Sequence, residues 1–394
     1  MRIVITGTGA VSACGTGAGA IFDALVPENA LAIGIREHQH GSSVGPEVQS
    51  GGRSSELGYP APFDPAAILG PRGLRLLDRA TRLALSGAKL ALADSGLDGA
   101  TTLARPPGIV LGTSFGSLSS IAGFIADRLA SGPSGLNPSH FPNTVINSPA
   151  SHAAIRFGLS TLSSTIAAGW ASGAAAIGYA ADLLKQGRAD AILAGGVEEL
   201  TEQSRALYFE SGLLAPAGEW HPASGAGTVL GEGAGLLVLE PADAAAARGG
   251  RVLAYLTGHG LGFEPSGGPG AVRRAVREAL VRHDPAFADE EPERWPFDAI
   301  VSGACGVRTV DEAESAAMAG FSGPILRPKA VLGEADGAGG ALAAALAALI
   351  CERGELPGGG PVRTVLVSAP SYTGHAAALI LRRAGSPAGI GTVV

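Results

Sequence analysis

Ile3-Val4-Ile5-Thr6-Gly7-Thr8-Gly9-Ala10-Val11-Ser12 opens the chain with a short apolar run broken by a glycine-rich turn, and this unit decides the fold class because it recurs. The first strand is expected over Arg2–Thr6. Others are expected at Gly108–Gly112, Ala191–Ala194, Gly235–Glu240, Ala299–Ser302, Thr364–Ser368 and Ala377–Leu381. Between them, apolar residues at three- and four-residue spacing predict helices over Leu76–Ala93, Ser117–Leu129, Ala174–Lys185, Val272–Arg282 and Ala338–Cys351. Strands alternating with helices of this length imply α/β layering around a large buried sheet. The strands read as nearly continuous apolar runs, as they do when helices cover both faces.

A change in composition near Pro241–Gly250 suggests a junction between two halves, residues 1–242 and 243–394. Each half carries strands, helices and a late glycine-rich strand-to-helix turn, which hints at an internal duplication. Gly41–Pro65, Pro265–Pro269 and the acidic stretch His283–Pro296 read as loops.

With 394 residues the chain has room for one very large or two ordinary domains. It is 46% hydrophobic and 16% charged, too apolar for a disordered chain. Its 60 glycines and 26 prolines sit between apolar runs rather than in tracts, as in a densely packed α/β protein. The net charge is −7 and no segment concentrates Lys and Arg, so no nucleic-acid partner is expected. Cys14, Cys305 and Cys351 form neither a disulfide framework nor a zinc spacing, so no metal site is expected and a reducing cytoplasm is the simplest setting. The start makes a poor signal peptide, and the longest apolar stretch, about Gly339 to Cys351, is too short to span a bilayer. The Gly7-Thr8-Gly9 turn lacks the full dinucleotide fingerprint, and no cofactor is expected.

Several segments then fall in a telling order. Val4–Ser12 is followed by Asp78-Arg79-Ala80-Thr81 at the head of an alanine-rich helix ending Ala93-Asp94-Ser95-Gly96-Leu97. Gly132-Pro133-Ser134, Phe141-Pro142-Asn143 and Ala154-Ile155-Arg156-Phe157-Gly158-Leu159 come next. Ala194-Gly195-Gly196-Val197-Glu198 and Gly231-Glu232-Gly233-Ala234-Gly235 complete the set. Together they resemble the β-ketoacyl-acyl carrier protein synthases, the thiolase-fold condensing enzymes of fatty acid and polyketide synthesis. The resemblance covers nearly the whole chain. It implies two related α/β halves stacked as five layers (αβαβα) and an obligate dimer. It also implies a nucleophilic cysteine at a strand-to-helix turn, where the helix N-terminus lowers the thiol pKa. Two histidines stabilise the enolate left by decarboxylation of malonyl-carrier protein, and a lysine supports them.

The sequence departs from that family where the chemistry should be. The cysteine motif Thr-Ala-Cys-Ala-Ser-Gly appears as Ala168-Gly169-Trp170-Ala171-Ser172-Gly173, so the nucleophile position holds Trp170. Anchoring on Asp311 and Glu314 places the first histidine position at Gly303. Lys329 is kept, but five residues on, where the second histidine should stand, is Glu334. An indole cannot hold a thioester, and a carboxylate beside a developing enolate opposes the reaction. Losing the nucleophile or the base of a catalytic unit costs on the order of a million-fold in rate. No condensing activity by this chain alone is expected.

Trp170 admits two readings: a dead pocket filled with apolar bulk, or a plug that closes this chain's own acyl tunnel. Ser172 and Cys305 have no neighbouring base, and both are expected to pack rather than react. Lys329 is expected to pair with Glu334. His375 falls in a family segment and is expected to serve as a structural hydrogen bonder, while Tyr372 falls on a gating position where gating or packing would suit it.

Inactive members of this family occur in type II polyketide synthases as the chain-length factor. That subunit forms a heterodimer with an active ketosynthase, uses acyl carrier protein as the partner that delivers chains, and shapes the tunnel at the interface. Trp170 replaces the usual glutamine, which points to an atypical branch making reduced or polyene-like chains, in a cytoplasmic antibiotic-type pathway. The resemblance puts chain-length determinants at about Leu118, Ile121 and Ile125, with Phe124 nearby; ordinary core packing is the competing reading for each. The competing functions are an acyltransferase or decarboxylase on the same fold, or a homodimeric scaffold that binds carrier protein.

Overall fold

The computed structural model describes residues 1–27, 58–98, 103–216, 220–265, 267–288 and 295–385. Residues 28–57 of the expected loop Gly41–Pro65 and its flank, Ser266, and residues 289–294 of His283–Pro296 lie outside them. The strands are β1 (Ile3–Ser12), β2 (Gly15–Thr16), β3 (Gly108–Gly112), β4 (Ser163–Ile166), β5 (Ile192–Glu198) and β6 (Gly233–Pro241), then β7 (Ala254–Phe263), β8 (Ala299–Val301), β9 (Ile325–Leu326), β10 (Thr364–Pro370) and β11 (His375–Arg383). Described helices of nine residues or more are α1 (Arg79–Ser95), α2 (Leu118–Ser131), α3 (Ser148–Phe157), α4 (Ser172–Lys185), α5 (Glu202–Glu210), α6 (Pro269–His283), α7 (Arg308–Ala317) and α8 (Asp336–Arg353).

The strands form two rows with one topology. In the first the order is β4-β3-β5-β6-β1, with β6 antiparallel to both neighbours and the rest parallel. In the second, read from its far edge, it is β9-β8-β10-β11-β7, with β11 antiparallel to both neighbours. Leaving out the two-residue β2, which pairs with β1 off the row, the strands of each row lie third, second, fourth, fifth and first in chain order. The rows join where β1 pairs with β7 over Ile3–Ile5 and Ala254–Leu256.

Helices α4 and α8 pack on each other and lie between the rows; α1 and α3 cover the outer face of the first row, α6 and α7 that of the second. The result is the five-layer thiolase-like stack. Each layer follows from its sequence. Helix α8 is small and apolar on every side, as a helix enclosed between two sheets must be. Helix α1 opens where the Asp78 side chain accepts from the Thr81 amide at 2.7 Å and closes on Gly96 at φ 73°. None of the described helices is long and apolar enough to cross a membrane.

Two sequence readings need correction. Gly7-Thr8-Gly9 is not a turn, because β1 continues through it to Ser12. The glycines are there for proximity: a Cβ on Gly7 would lie 2.5 Å from the Ala91 carbonyl oxygen, and one on Gly9 2.0 Å from that of Gly87. The long strand β7 was not expected, since Gly258, Gly260 and Gly262 break its apolar pattern. These glycines face α6, where any Cβ would come within 2.1 Å of the Ala279, Ala275 or Ala271 carbonyl oxygen. Strand β4 and helices α3, α5 and α7 were likewise not read from the sequence.

Candidate functional site

The turn before α4 carries Trp170. Gly169 supplies a left-handed φ of 57°, and Ser172 ties the turn by accepting from the Ala168 amide at 2.8 Å and donating to the Gly169 carbonyl at 2.5 Å. Ser172 is thus occupied by backbone, as expected. The Trp170 amide donates to Ser371 Oγ at 3.2 Å, and the indole points inward, 1% exposed. It packs with Leu230, Cys305, Val307 and Val310.

A buried polar relay receives that indole. Trp170 Nε1 donates to the Tyr208 hydroxyl at 2.5 Å, and the Tyr208 hydroxyl donates to Asp336 Oδ1. The Tyr208 ring stacks on the indole at 6.2 Å, and Tyr372, partly exposed, lies over it at 5.0 Å. Asp336 begins α8 with φ 44°, a left-handed conformation that Asp tolerates better than most residues. Burial, reinforced by the charge of Glu334, raises the Asp336 carboxyl to about 7. Burial and the neighbouring Asp336 likewise push Glu198 well above the usual range.

The other two altered positions close around Lys329. Its Nζ lies 2.5 Å from Glu334 Oε2, 2.8 Å from the Gly303 carbonyl and 5.4 Å from the Trp170 ring centroid. An ammonium at that distance from an indole face is attracted by the ring. Burial opposes the charge on Lys329, yet Glu334 and the other nearby anionic groups outweigh it and raise its pKa. So Trp170, Gly303, Lys329 and Glu334 meet in one place, with Tyr372 above them. His375 lies at the rim of this network: Nδ1 pairs with Thr373 Oγ1 at 3.2 Å, which pairs in turn with Ser371 Oγ at 2.8 Å, and the ring lies 4.8 Å from that of Phe263.

Carboxylates hold the loop after β8. Asp311 accepts from the Cys305 and Gly306 amides at 2.9 Å each, and Glu314 accepts from the Gly303 amide at 2.8 Å. Between them they shape the loop from Gly303 to Gly306. Gly303 itself is hemmed in, since a Cβ there would sit 2.4 Å from Pro370 Cδ. Cys305 is buried, and burial pushes its thiol above the ordinary range, away from the thiolate a nucleophile needs. Beside Val310, Pro370, Ser371 and His375 the free space is about 10 Å³, near the smallest volume that holds one water. The constellation pairs its buried groups internally, Lys329 with Glu334 and Tyr208 with Asp336.

Helix α2 lies elsewhere. None of its residues is buried; Leu118, Ile121 and Phe124 are half-buried and Ile125 is 53% exposed. Phe124 meets Phe141 at 6.0 Å. Ordinary core packing therefore does not account for the apolar side chains of this helix. Tyr208 and Asp336 went unnoticed in the sequence. Asp336 lies two residues past Glu334, but its role depends on a backbone conformation and a distant tyrosine that no local pattern announces.

Residues 1–245 match the family described as "Beta-ketoacyl synthase, N-terminal domain". The chain is 30% identical over 369 residues to the tetracenomycin polyketide synthase ketoacyl synthase beta subunit of Streptomyces glaucescens, covering 88% of this chain and 85% of that protein. It is 28% identical over 391 residues to the alpha subunit from the same organism, with 90% and 86% covered. Among solved structures, the ishigamide ketosynthase/chain length factor superposes with a TM-score of 0.81 at 27% identity, covering 98% of this chain and 99% of that one.

Proposed function

The chain belongs to the beta-ketoacyl synthase family, and from that premise we propose that it is the non-condensing, chain-length-setting subunit of a type II polyketide synthase. It pairs with an active ketosynthase, and its own surface completes the tunnel into which the carrier-bound chain grows. The observation that carries this reading is the replacement of all three catalytic positions by groups gathered around one buried cation: Trp170, Gly303 and Glu334 around Lys329. Condensation needs a thiolate to hold the acyl group and donors to stabilise an enolate. Here the first is an indole hydrogen-bonded to Tyr208 and the second a carboxylate neutralised by Lys329.

Likeness to alpha and beta subunits alike leaves the choice to the site, and the site favours the beta role. Two surface features support a partner of the same fold. Strand β4 ends its row with one edge unpaired among the described residues. Helix α2 exposes Ile125 and Leu129, and Phe141, Val145 and Ile146 are exposed in the segment that follows it. Obligate partners commonly cover apolar faces of this kind. Acyl carrier protein delivers the chain, the halves 1–242 and 243–394 are the two units of the fold, and the complex works in the cytoplasm.

Co-expression with an active ketosynthase, carrier protein and reducing enzymes tests the proposal. A one-to-one complex is expected, with carrier-bound products by intact mass only when this chain is present. A homodimer that leaves yield and product length untouched would overturn it in favour of a scaffold.

A further inference from the structure

Helix α2 poses a problem of positioning. It is 14 residues long with no buried side chain, so core packing does not fix where it lies. Its Ser117 N-cap makes no side-chain capping bond. The start of the helix is instead gripped from outside by carboxylates of other elements. Glu199, 4% exposed and just past β5, accepts from the Ser119 amide at 2.8 Å and from Ser119 Oγ at 2.8 and 2.9 Å. Its Oε2 also accepts from the Ala80 amide in the first turn of α1 at 3.3 Å. One carboxylate thus caps two helices.

Asp78 repeats the arrangement. Its Oδ1 caps α1 through the Thr81 amide at 2.7 Å, and its Oδ2 accepts from Ser120 Oγ at 3.0 Å. Just upstream, Glu198 accepts from the Ser114 amide at 2.6 Å and the Phe115 amide at 3.2 Å, fixing the connection from β3. Negative groups at two helix N-termini are favoured by both macrodipoles. Helix α1, in contrast to α2, is rooted in the core by Leu83, Leu85, Ala88 and Leu92. The exposed helix is therefore referenced to a fixed one through Glu199 and Asp78.

We propose that Glu199, seconded by Asp78, is the positioning residue that sets the placement of α2, and with it the tunnel wall formed by Ile121, Phe124 and Ile125. This rests on the chain-length reading above. Glu199 does not touch the growing chain; it holds the helix that does. Loosening the clamp lets α2 tilt from its first turn, so products spread over several lengths instead of stopping at one.

The test uses the complex of this chain with its ketosynthase and three variants. Ser119→Ala removes one bond to the clamp at the surface, Glu199→Gln replaces a carboxylate oxygen by a donor, and Asp190→Asn weakens a remote surface pair with Arg105. Product lengths by mass spectrometry and amide exchange over residues 118–131 and 172–185 are read together. The first two variants are expected to broaden the product distribution. They should also speed exchange in 118–131 by about tenfold, the order that losing one hydrogen bond to a charged group implies, with 172–185 unchanged. Asp190→Asn should leave both readouts at wild type. If Glu199→Gln fails to fold, Ser119→Ala alone decides. A shift on substituting Ile125, with a wild-type distribution and wild-type exchange in Ser119→Ala, overturns the clamp but leaves the chain-length reading intact. Failure of the Ile125 substitutions themselves to alter product length overturns the reading beneath it.

Discussion

Trp170→Ala removes the largest side chain buried to within 2% exposure among the described residues. Trp-to-Ala truncations in a core cost about 3–5 kcal/mol, part transfer and part cavity. The Lys329 ammonium also loses its aromatic face, a further contribution on the order of 0.5–2 kcal/mol. Tyr208 still donates to Asp336, so the relay loses one donor rather than stranding a charge. Trp170→Phe keeps an aromatic ring but removes the Nε1 donor to Tyr208, and should cost only about 1–2 kcal/mol. Urea unfolding of the two variants measures both, provided the slope with denaturant stays unchanged. Indole added to Trp170→Ala should recover stability by mass action, up to about 2.7 kcal/mol at a hundredfold excess over its Kd, and leave wild type unaffected. Neither variant, nor Trp170→Cys, should condense acyl chains, because Gly303 and Glu334 remain. An alanine variant within about 1 kcal/mol of wild type would refute the packing argument. Turnover by Trp170→Cys alone would refute the catalytic one.

Ile121→Ala and Ile125→Ala in the complex should lengthen products and the Phe variants shorten them; identical mass spectra across both series would remove α2 from the tunnel. Asp336, raised to about 7 in the fold, binds its proton more tightly there than in the unfolded chain. Its contribution is therefore complete below the ordinary Asp range and is lost as pH rises to about 7. Asp336→Asn, which tolerates the positive φ, should flatten that decline in unfolding midpoints taken across this window; an unaltered pH slope would count against the assignment. Lys329→Met should cost about 3–5 kcal/mol by leaving Glu334 buried and unpaired. Lys329→Met with Glu334→Leu should regain most of that loss, and a double-mutant cycle showing plain additivity would deny the coupling.

The sequence was most legible where chemistry concentrates in a few ordered residues. Trp170, Gly303 and Glu334, singled out by the motifs around them, lie together around Lys329, which pairs with Glu334. The layered fold followed from strand and helix periodicities, with several boundaries extended by a few residues. Where glycines serve close approach, the same residues misled: they suggested a turn inside β1 and hid β7. A glycine reads locally as punctuation, whereas here its meaning lies in a helix tens of residues away. Tyr208 and Asp336 were illegible for a related reason, since their bond spans 128 positions and leaves no spacing to notice. The exposure of α2 was equally hidden, because an apolar helical face looks the same whether it meets its own core or another chain.

The crowding at Gly303 limits which sequences the loop can accept. Pro370 and the Ser368 carbonyl oxygen fill the space a side chain would take, with gaps of 2.4 and 2.7 Å to a hypothetical Cβ. A variant carrying cysteine at position 170 would still meet a backbone with no room for imidazole at 303. Any side chain at 303 would require Pro370 and the Ser368 carbonyl to move first, so the packing around this loop, more than the chemistry it could carry, holds the position to glycine.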